Sequence, residues 1–408
     1  MAASSEYQEI RAAMRDFYPR FSDEEFARRR ALAMQLMDEL GLSCLLVYGD
    51  SGHCYMNQAN VRWLANYADH QYNYLVLPRD GEPTLFMSIP NMQPGAAAIS
   101  AVEDVRWSVG GRRDLAGAVA ARVLELGLGN AAIGVVGADT QRMPTVPHHH
   151  HVTLTTELPN SQLRYVTTEF EGLRRVQSAE EVEWLKRGAE FTDLAMEAMV
   201  AALRPGVREF ELYAAQHGAY LPLGGQMVFS IMSSTSMDTP RSPHPFPWPS
   251  ERPLAKGDIL LTEISASYWG YSGQAIRAVA IGEPPAQYRE FFAVAREAYL
   301  AIQAELKPGN TAEDVQRAGD VITAAGYTSL GPLVHGWGLG LAEPYIGLRG
   351  TDGWSSDPVP FEEHQTLMIQ PNVATQDKTG GLIVGNLNRV TPGGGESYQR
   401  FPLDFIVR

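Results

Sequence analysis

The sequence predicts an α/β protein of two domains, and three observations carry that expectation. The chain is 408 residues long, against roughly 100–200 for one compact domain. Apolar strand-like runs alternate with amphipathic helical stretches through the first third of the chain. In the second half, Leu203-Arg-Pro-Gly206 is echoed by Leu306-Lys-Pro-Gly309, about 103 residues on. Each echo sits between two helical stretches, as in a duplicated α/β half-domain. The two domains are set at residues 1–170 and 171–408.

The elements follow in order. Ser22-Asp23-Glu24-Glu25 opens a helix, because a serine oxygen accepts from orphan N–H groups and acids favour the first turn. Phe26, Leu32, Leu36, Met37 and Leu40 give it an apolar side. Ser43–Tyr48, Tyr72–Leu77, Thr84–Ile89 and Ala131–Val136 read as buried strands, and Asp114–Leu126 as a helix. A linker is expected near Glu169-Phe170-Glu171-Gly172. Ser178 and Glu181 then form a capping-box pattern opening a helix that runs to about Leu203. Leu185, Ala189, Thr192, Ala195, Met196 and Met199 share one of its faces.

Composition excludes several classes. Lys and Arg number 33 against 47 Asp and Glu, a net charge of −14, which argues against a nucleic-acid or anionic-membrane partner. No apolar run reaches the roughly 18 residues of a membrane span, and the charged N-terminus lacks a signal-peptide core. Cys44 and Cys54 are too few for a disulfide framework, so a reducing cytoplasm is the expected location. His148–His151 reads as surface decoration in a proline-flanked loop. GxSxG, CxxC and HExxH patterns are absent from the sequence.

Four segments hold the candidate chemistry. In Arg241–Pro249, four prolines stiffen the loop around His244, whose imidazole suits proton transfer. Lys256–Ile281 reads as a hairpin turning at Trp269-Gly270-Tyr271. It places Glu263 inside an apolar strand, where a carboxylate needs a partner such as Arg277 or an altered pKa. His335 precedes a glycine run that permits close backbone approach, without the setting of a phosphate loop. Gln370 ends an apolar strand, and a buried amide demands partners.

In this order the segments resemble the pita-bread family of methionine aminopeptidase, aminopeptidase P, prolidase and creatinase, in the creatinase-like two-domain layout. The resemblance rests on Leu173–Val182, Ser242-Pro-His244, Lys256-Gly-Asp-Ile-Leu, Trp269-Gly-Tyr271, Arg277, His335-Gly-Trp-Gly-Leu339 with Glu343-Pro344, and Gln370-Pro371. It covers the whole chain and implies a creatinase-like N-terminal α/β domain before a pita-bread catalytic domain with an internal pseudo-twofold repeat.

The peptidases of that family hold two divalent metals through two Asp, one His and two Glu. The matching positions here are Glu263, Gln274, His335, Gln370 and Gly385, and amides and glycine lack anionic oxygens. The resulting expectation is a chain without metal or other cofactor, hydrolysing a C–N bond of a small polar, guanidino- or ureido-like metabolite. Creatinase's two guanidinium-holding glutamates match Ile276 and Gln370, which argues against creatine itself. His244, Glu263 and His335 are the expected catalytic residues, with His244 as general acid/base. Gln274, Gln370, Tyr271, Trp248, Arg277 and Glu343 are the expected substrate contacts. Asp69 and His70 would reach the site from the partner chain of a homodimer. The alternatives are a lyase on an osmolyte-like substrate, a metal-dependent Xaa-Pro-type peptidase and a non-catalytic binding module.

Overall fold

The computed structural model describes residues 5–52, 56–108, 114–137, 145–351 and 358–408, and two compact units divide the chain between Arg174 and Arg175. Cys54 lies outside the described residues. Cys44 is a buried free thiol.

The first unit runs α1 (Ser5–Met14), α2 (Asp23–Leu40), β1 (Cys44–Gly49), α3 (Ala59–Ala65), β2 (Asn73–Pro78), β3 (Thr84–Met87) and α4 (Gln93–Ile99). It continues with β4 (Asp104–Trp107), α5 (Leu115–Glu125), β5 (Ala132–Val136), α6 (His148–Glu157), β6 (Gln162–Tyr165) and α7 (Thr167–Gly172). Its six-stranded sheet has the order β4-β3-β2-β1-β5-β6. β1 pairs antiparallel with β2 and parallel with β5. Every residue of β1 and β2 is buried, which is why both read as unbroken apolar runs. Leu46, Tyr48 and Val76 pack with Leu115, Val119 and Val123 of α5. Ser22 caps α2, its Oγ accepting from Glu25 N at 3.1 Å.

Two sequence expectations fail here. Glu169–Gly172 is the end of helix α7 rather than a linker. His148–His151 is the first turn of α6 rather than a loop; His148 and His149 are exposed as expected, but His150 is fully buried among Tyr48, Tyr72 and Tyr74. Pro147 ends the loop before that turn, and one face of the turn is covered by the sheet.

The second unit begins with α8 (Ala179–Ala202), α9 (Glu209–Tyr220), β7 (Gln226–Ser236), β8 (Asp258–Tyr268), β9 (Tyr271–Ser272) and β10 (Ala275–Ala280). The echo follows as α10 (Ala286–Glu305), α11 (Ala312–Ala324), β11 (Val334–Gly338), β12 (Gly340–Ile346) and β13 (Thr366–Ile369). The chain closes with β14 (Asn372–Ala374), β15 (Gly381–Ile383), β16 (Gly385–Thr391), β17 (Gly394–Ser397) and β18 (Ile406–Val407). The main sheet has the order β12-β11-β13-β16-β10-β8-β7.

Both echoed turns break helix from helix at a left-handed glycine, Gly206 (φ 85°) and Gly309 (φ 90°). The capping box of α8 is complete: Glu181 N donates to Ser178 Oγ at 3.2 Å and Ser178 N to Glu181 Oε2 at 2.9 Å. The predicted stripe from Leu185 to Met199 is buried. It packs with Leu260, Ile264 and Ala266 of β8. α10 and α11 pack in a second cluster with Val334, Leu367 and Ile369. Among the described residues no helix is long and apolar enough to cross a membrane.

Candidate active centre

The sheet register brings the candidate side chains to one level. Ile231 of β7 lies opposite Glu263 of β8, Glu263 opposite Ile276 of β10, and Ile276 opposite Gly385 of β16. On the next strand Ile369 pairs with Asn386 of β16 and with Val334 of β11. Gln370 and His335 each follow directly in sequence. Neighbouring strands stand about 4.8 Å apart, so the row sets Glu263, Gln370 and His335 at one level, with Ile276 and Gly385 between them.

Glu263 alternates with the α8-facing residues of β8 and therefore projects to the opposite face. It is 7% exposed. Burial pushes its carboxyl up to about 7, while the hydrogen bond from Gln274 pulls it down. Gln274 Nε2 donates to Glu263 Oε1 at 2.5 Å. The pairing parity explains the meeting. Gln274 precedes Ala275, which lies opposite Ile264, so Gln274 is the diagonal neighbour of Glu263 on the same face.

That parity also corrects the expected Glu263–Arg277 pair. Arg277 lies opposite Thr262 and faces the other way. Its guanidinium donates to the carbonyls of Pro402, Ile276, Gly385 and Phe401 at 2.7–2.8 Å, so it holds the fold rather than a substrate. Tyr271 is likewise structural: its hydroxyl donates to Glu181 Oε1 at 2.8 Å, extending the α8 cap.

His335 Nδ1 donates to the Gly336 carbonyl at 3.0 Å, and Nε2 lies 3.1 Å from Gln370 Oε1. In a neutral ring with its proton on Nδ1, Nε2 is an acceptor. With Gln370 Oε1 facing it, Nε2 must donate, so the two ring contacts together need the doubly protonated imidazole; a neutral ring protonated on Nδ1 takes an N–H from the amide turned the other way round. Tyr345 stacks on the imidazole and Trp337 meets it edge-on. Trp337 Nε1 donates to Ser265 Oγ at 3.2 Å, linking the histidine strand to the Glu263 strand. The glycine after His335 serves packing: Gly336 lies against the carbonyls of Ala342 and Glu343 on β12. Glu343, half-buried, precedes a cis proline on that strand.

His244 is held by its loop. Its Nδ1 donates to Pro245 O at 2.9 Å, so a neutral ring carries its lone pair on Nε2. Burial lowers its pKa, with the Pro245 carbonyl opposing. Phe246 N donates to Ser233 Oγ at 3.1 Å, and Asn372 Nδ2 to Pro243 O at 2.9 Å. The loop is thus tied to β7 and to the residue two past Gln370. Asn372 escaped the sequence reading, and only its place behind Gln370-Pro371 could have suggested it. Phe246 is 51% and Trp248 78% exposed, so neither ring shields His244 and Trp248 is no enclosed substrate contact.

Asp69 and His70 belong to the first unit. Asp69 is enclosed, its Oδ1 accepting from Gln71 N at 3.0 Å and lying 3.2 Å from His70 Nδ1. Burial raises its pKa. Of the two, only the His70 side chain, 44% exposed, is open at the surface of the single chain.

The donor set does not fit a two-ion centre. Among the described residues, no three His, Cys, Asp or Glu cluster as a cation site would require. A side chain at Gly385 is blocked, since a Cβ there would stand 2.4 Å from Ile369 O and 3.1 Å from Gln370 Cα.

Comparison with known proteins adds to this geometry. A family model described as metallopeptidase family M24 matches residues 183–392, and a creatinase/prolidase N-terminal domain model matches residues 29–176. A protein of Mycobacterium bovis named probable dipeptidase PepE is 27% identical over 95% of this chain and 98% of its own length. The solved structure of dipeptidase PepE from Mycobacterium ulcerans is 26% identical over 95% of this chain and 99% of that one, with TM-score 0.77. The X-Pro aminopeptidase of Thermotoga maritima shares the fold, at 19% identity, covering 93% of this chain and 99% of that one, with TM-score 0.79.

These findings overturn the expectation of a metal-independent hydrolase for a guanidino or ureido metabolite. The family model is that of metallopeptidases, and near full-length relatives carry dipeptidase names. The donor set establishes a narrower point: Glu263, Gln274, His335 and Gln370 do not reproduce the five-ligand, two-ion arrangement.

Proposed function

This chain belongs to metallopeptidase family M24, and on that premise we propose that it hydrolyses short peptides of dipeptide size at the centre formed by Glu263, Gln274, His335, Gln370 and the His244 loop. The observation that carries the reading is the near full-length likeness to named dipeptidases. That likeness meets, in this chain, the polar side chains of Glu263, Gln274, His335 and Gln370 buried within an apolar sheet.

Amide hydrolysis needs a proton taken from water and a proton given to the leaving nitrogen. His244 is suited to the first step. Its Nδ1 is occupied by Pro245 O, its Nε2 is basic, and its lowered pKa keeps it neutral at pH 7. The imidazolium so formed returns the proton to the leaving amine. Gln370 and His335 offer polar contacts to the peptide's carbonyl side. A second reading, peptide binding without turnover, is favoured by one observation: Gln274 and Gln370 are amides, and Gly385 has no room for a carboxylate.

One experiment tests both. Purified protein is incubated with a panel of dipeptides, Xaa-Pro peptides included, and released amino acids are quantified by chromatography. Cleavage supports hydrolysis, binding without products supports the second reading, and neither binding nor cleavage defeats both. The proposal includes a homodimer in which His70 of one chain, rather than enclosed Asp69, is presented to the partner's centre. Sedimentation of a fully active monomer would refute that part.

A further inference from the structure

A cleft lies on the helical side of the main sheet, where α8 covers the face of β8 that Glu263 turns away from. It measures about 480 Å³, the size of a small-molecule site. Glu183, Lys186, Arg187, Glu190 and Asp193 recur along one side of α8 at helical spacing. Arg389 of β16 and Glu396 of β17 line the opposite wall, and Arg400 follows on the chain after β17. The charges are matched. Lys186 pairs with Glu183 and Arg187 with Glu190, both at 2.7 Å, and Arg389 Nη2 meets Glu396 Oε2 at 2.5 Å. With Asp193 and Arg400, the lining holds four acids and four bases and is formally neutral.

Two lining residues each carry a buried polar atom without a hydrogen-bond partner among the described residues, Asp193 Oδ1 and Arg389 Nε. Asp193 is 8% exposed. Its other oxygen accepts from Arg400 N at 2.7 Å, which fixes the carboxylate in the cleft wall. Burial raises its pKa, and the amides of Arg400 and Phe401 oppose that. Glu396, the partner of Arg389, is 63% exposed, and such a pair is worth little and yields easily. Buried polar atoms without partners are rare, and each calls for an explanation such as a bound ligand. These two are of opposite kind, an acceptor on a carboxylate and a donor on a guanidinium. A bare anion or a bare cation would satisfy one of them and unbalance the lining. A small zwitterion satisfies both, since an ammonium brings three donors and a carboxylate accepts from the edge of an arginine.

We propose that this cleft is a ligand site distinct from the Glu263–His244 centre, and that it takes a free α-amino acid with its ammonium on Asp193 and its carboxylate on Arg389. Its occupant bridges α8 to the β16–β17 hairpin. The inference goes beyond the peptide reading and stands on the cleft alone.

Binding is measured by calorimetry on the full chain with L-alanine and L-leucine. Alaninamide and N-acetylalanine, each lacking one of the two charges, serve as blocked probes. The expected result is binding of the free amino acids, weakened about tenfold or more by either block, the scale of a lost hydrogen bond to a charged group. Asp193→Asn, which keeps an acceptor for Arg400 N, and Arg389→Gln are each expected to weaken binding to the same extent. Glu263→Gln should leave it unchanged. A shared melting temperature shows that the variants fold, and the blocked probes on the unaltered protein decide the matter if one does not. Equal binding of free and blocked probes would overturn the inference, as would no binding at all. Binding that survives both folded cleft variants would place the amino acid elsewhere, and its loss in Glu263→Gln would place it at the centre; either result overturns the inference.

Discussion

Gly385 lies against Gln370 so closely that an added Cβ would stand 3.1 Å from the Gln370 Cα and 2.4 Å from the Ile369 carbonyl. A backbone carbonyl cannot swing aside like a side-chain tip. Gly385→Ala is therefore expected to destabilise by about 1–3 kcal/mol, the range for overpacking. Gly385→Glu should lower the melting temperature further rather than supply a cation ligand. Thermal unfolding of both variants checks this, and an unchanged melting temperature would show that β13 and β16 can separate at this point.

Arg277→Ala should fail as a fold before it fails as a binding site. Its removal leaves four carbonyls, those of Pro402, Ile276, Gly385 and Phe401, without their donor. Each buried polar group left unsatisfied costs about 1–3 kcal/mol. Denaturant unfolding is expected to show a loss of several kcal/mol, while any folded fraction keeps its KM. A stable variant with raised KM would return Arg277 to the substrate.

Glu263 gives stability a pH signature. Its pKa is raised by burial from 4.5 in the unfolded chain to about 7 in the fold. Between those values the native state binds more protons than the unfolded one, so this group's contribution falls as pH rises from 4.5 to 7. The full span is about 3 kcal/mol at most. Glu263→Gln should flatten the difference, its stability relative to wild type improving toward pH 7. Unfolding measured at pH 5 and pH 7 on both proteins decides it, and a pH-independent difference would contradict the buried, shifted carboxyl.

His244 sets the acid limb of activity. Because burial depresses its pKa, the basic form persists to lower pH than for an exposed imidazole. Peptide hydrolysis should hold its rate as pH drops through 6.5 and decline below. His244→Ala is expected to cost roughly 10²–10⁴-fold in kcat. Its melting temperature should change little. Retained turnover with a falling melting temperature would mark His244 as a structural residue of its loop.

Local features were legible in the chain because neighbours in sequence decide them. The Ser178–Glu181 capping box, the buried stripe of α8 and the two Leu-x-Pro-Gly breaks all form within a few residues. The burial of Glu263 was legible from its apolar flanks. Its partner was not, because the two-residue turn at Trp269-Gly270 sets which side chains of β8 and β10 share a face. Parity gave Gln274 to Glu263 and turned Arg277 away. Contacts between distant segments were equally silent: Tyr271 with Glu181, and Asn372 with the His244 loop. The histidine run misled only at His150: His148 and His149 are exposed, while α6 folds His150 under the tyrosines of the sheet. The substrate class misled because the exchanged ligands outweighed the rest of the chain, whose likeness is to dipeptidases.

The most direct test of the account is dipeptide turnover by the wild-type protein beside His244→Ala at pH 7, with released amino acids quantified over time. The account predicts steady release from at least one dipeptide by the wild type and a loss of roughly 10²–10⁴-fold in the variant. Absence of release across the panel, or equal release by the two proteins, would contradict it.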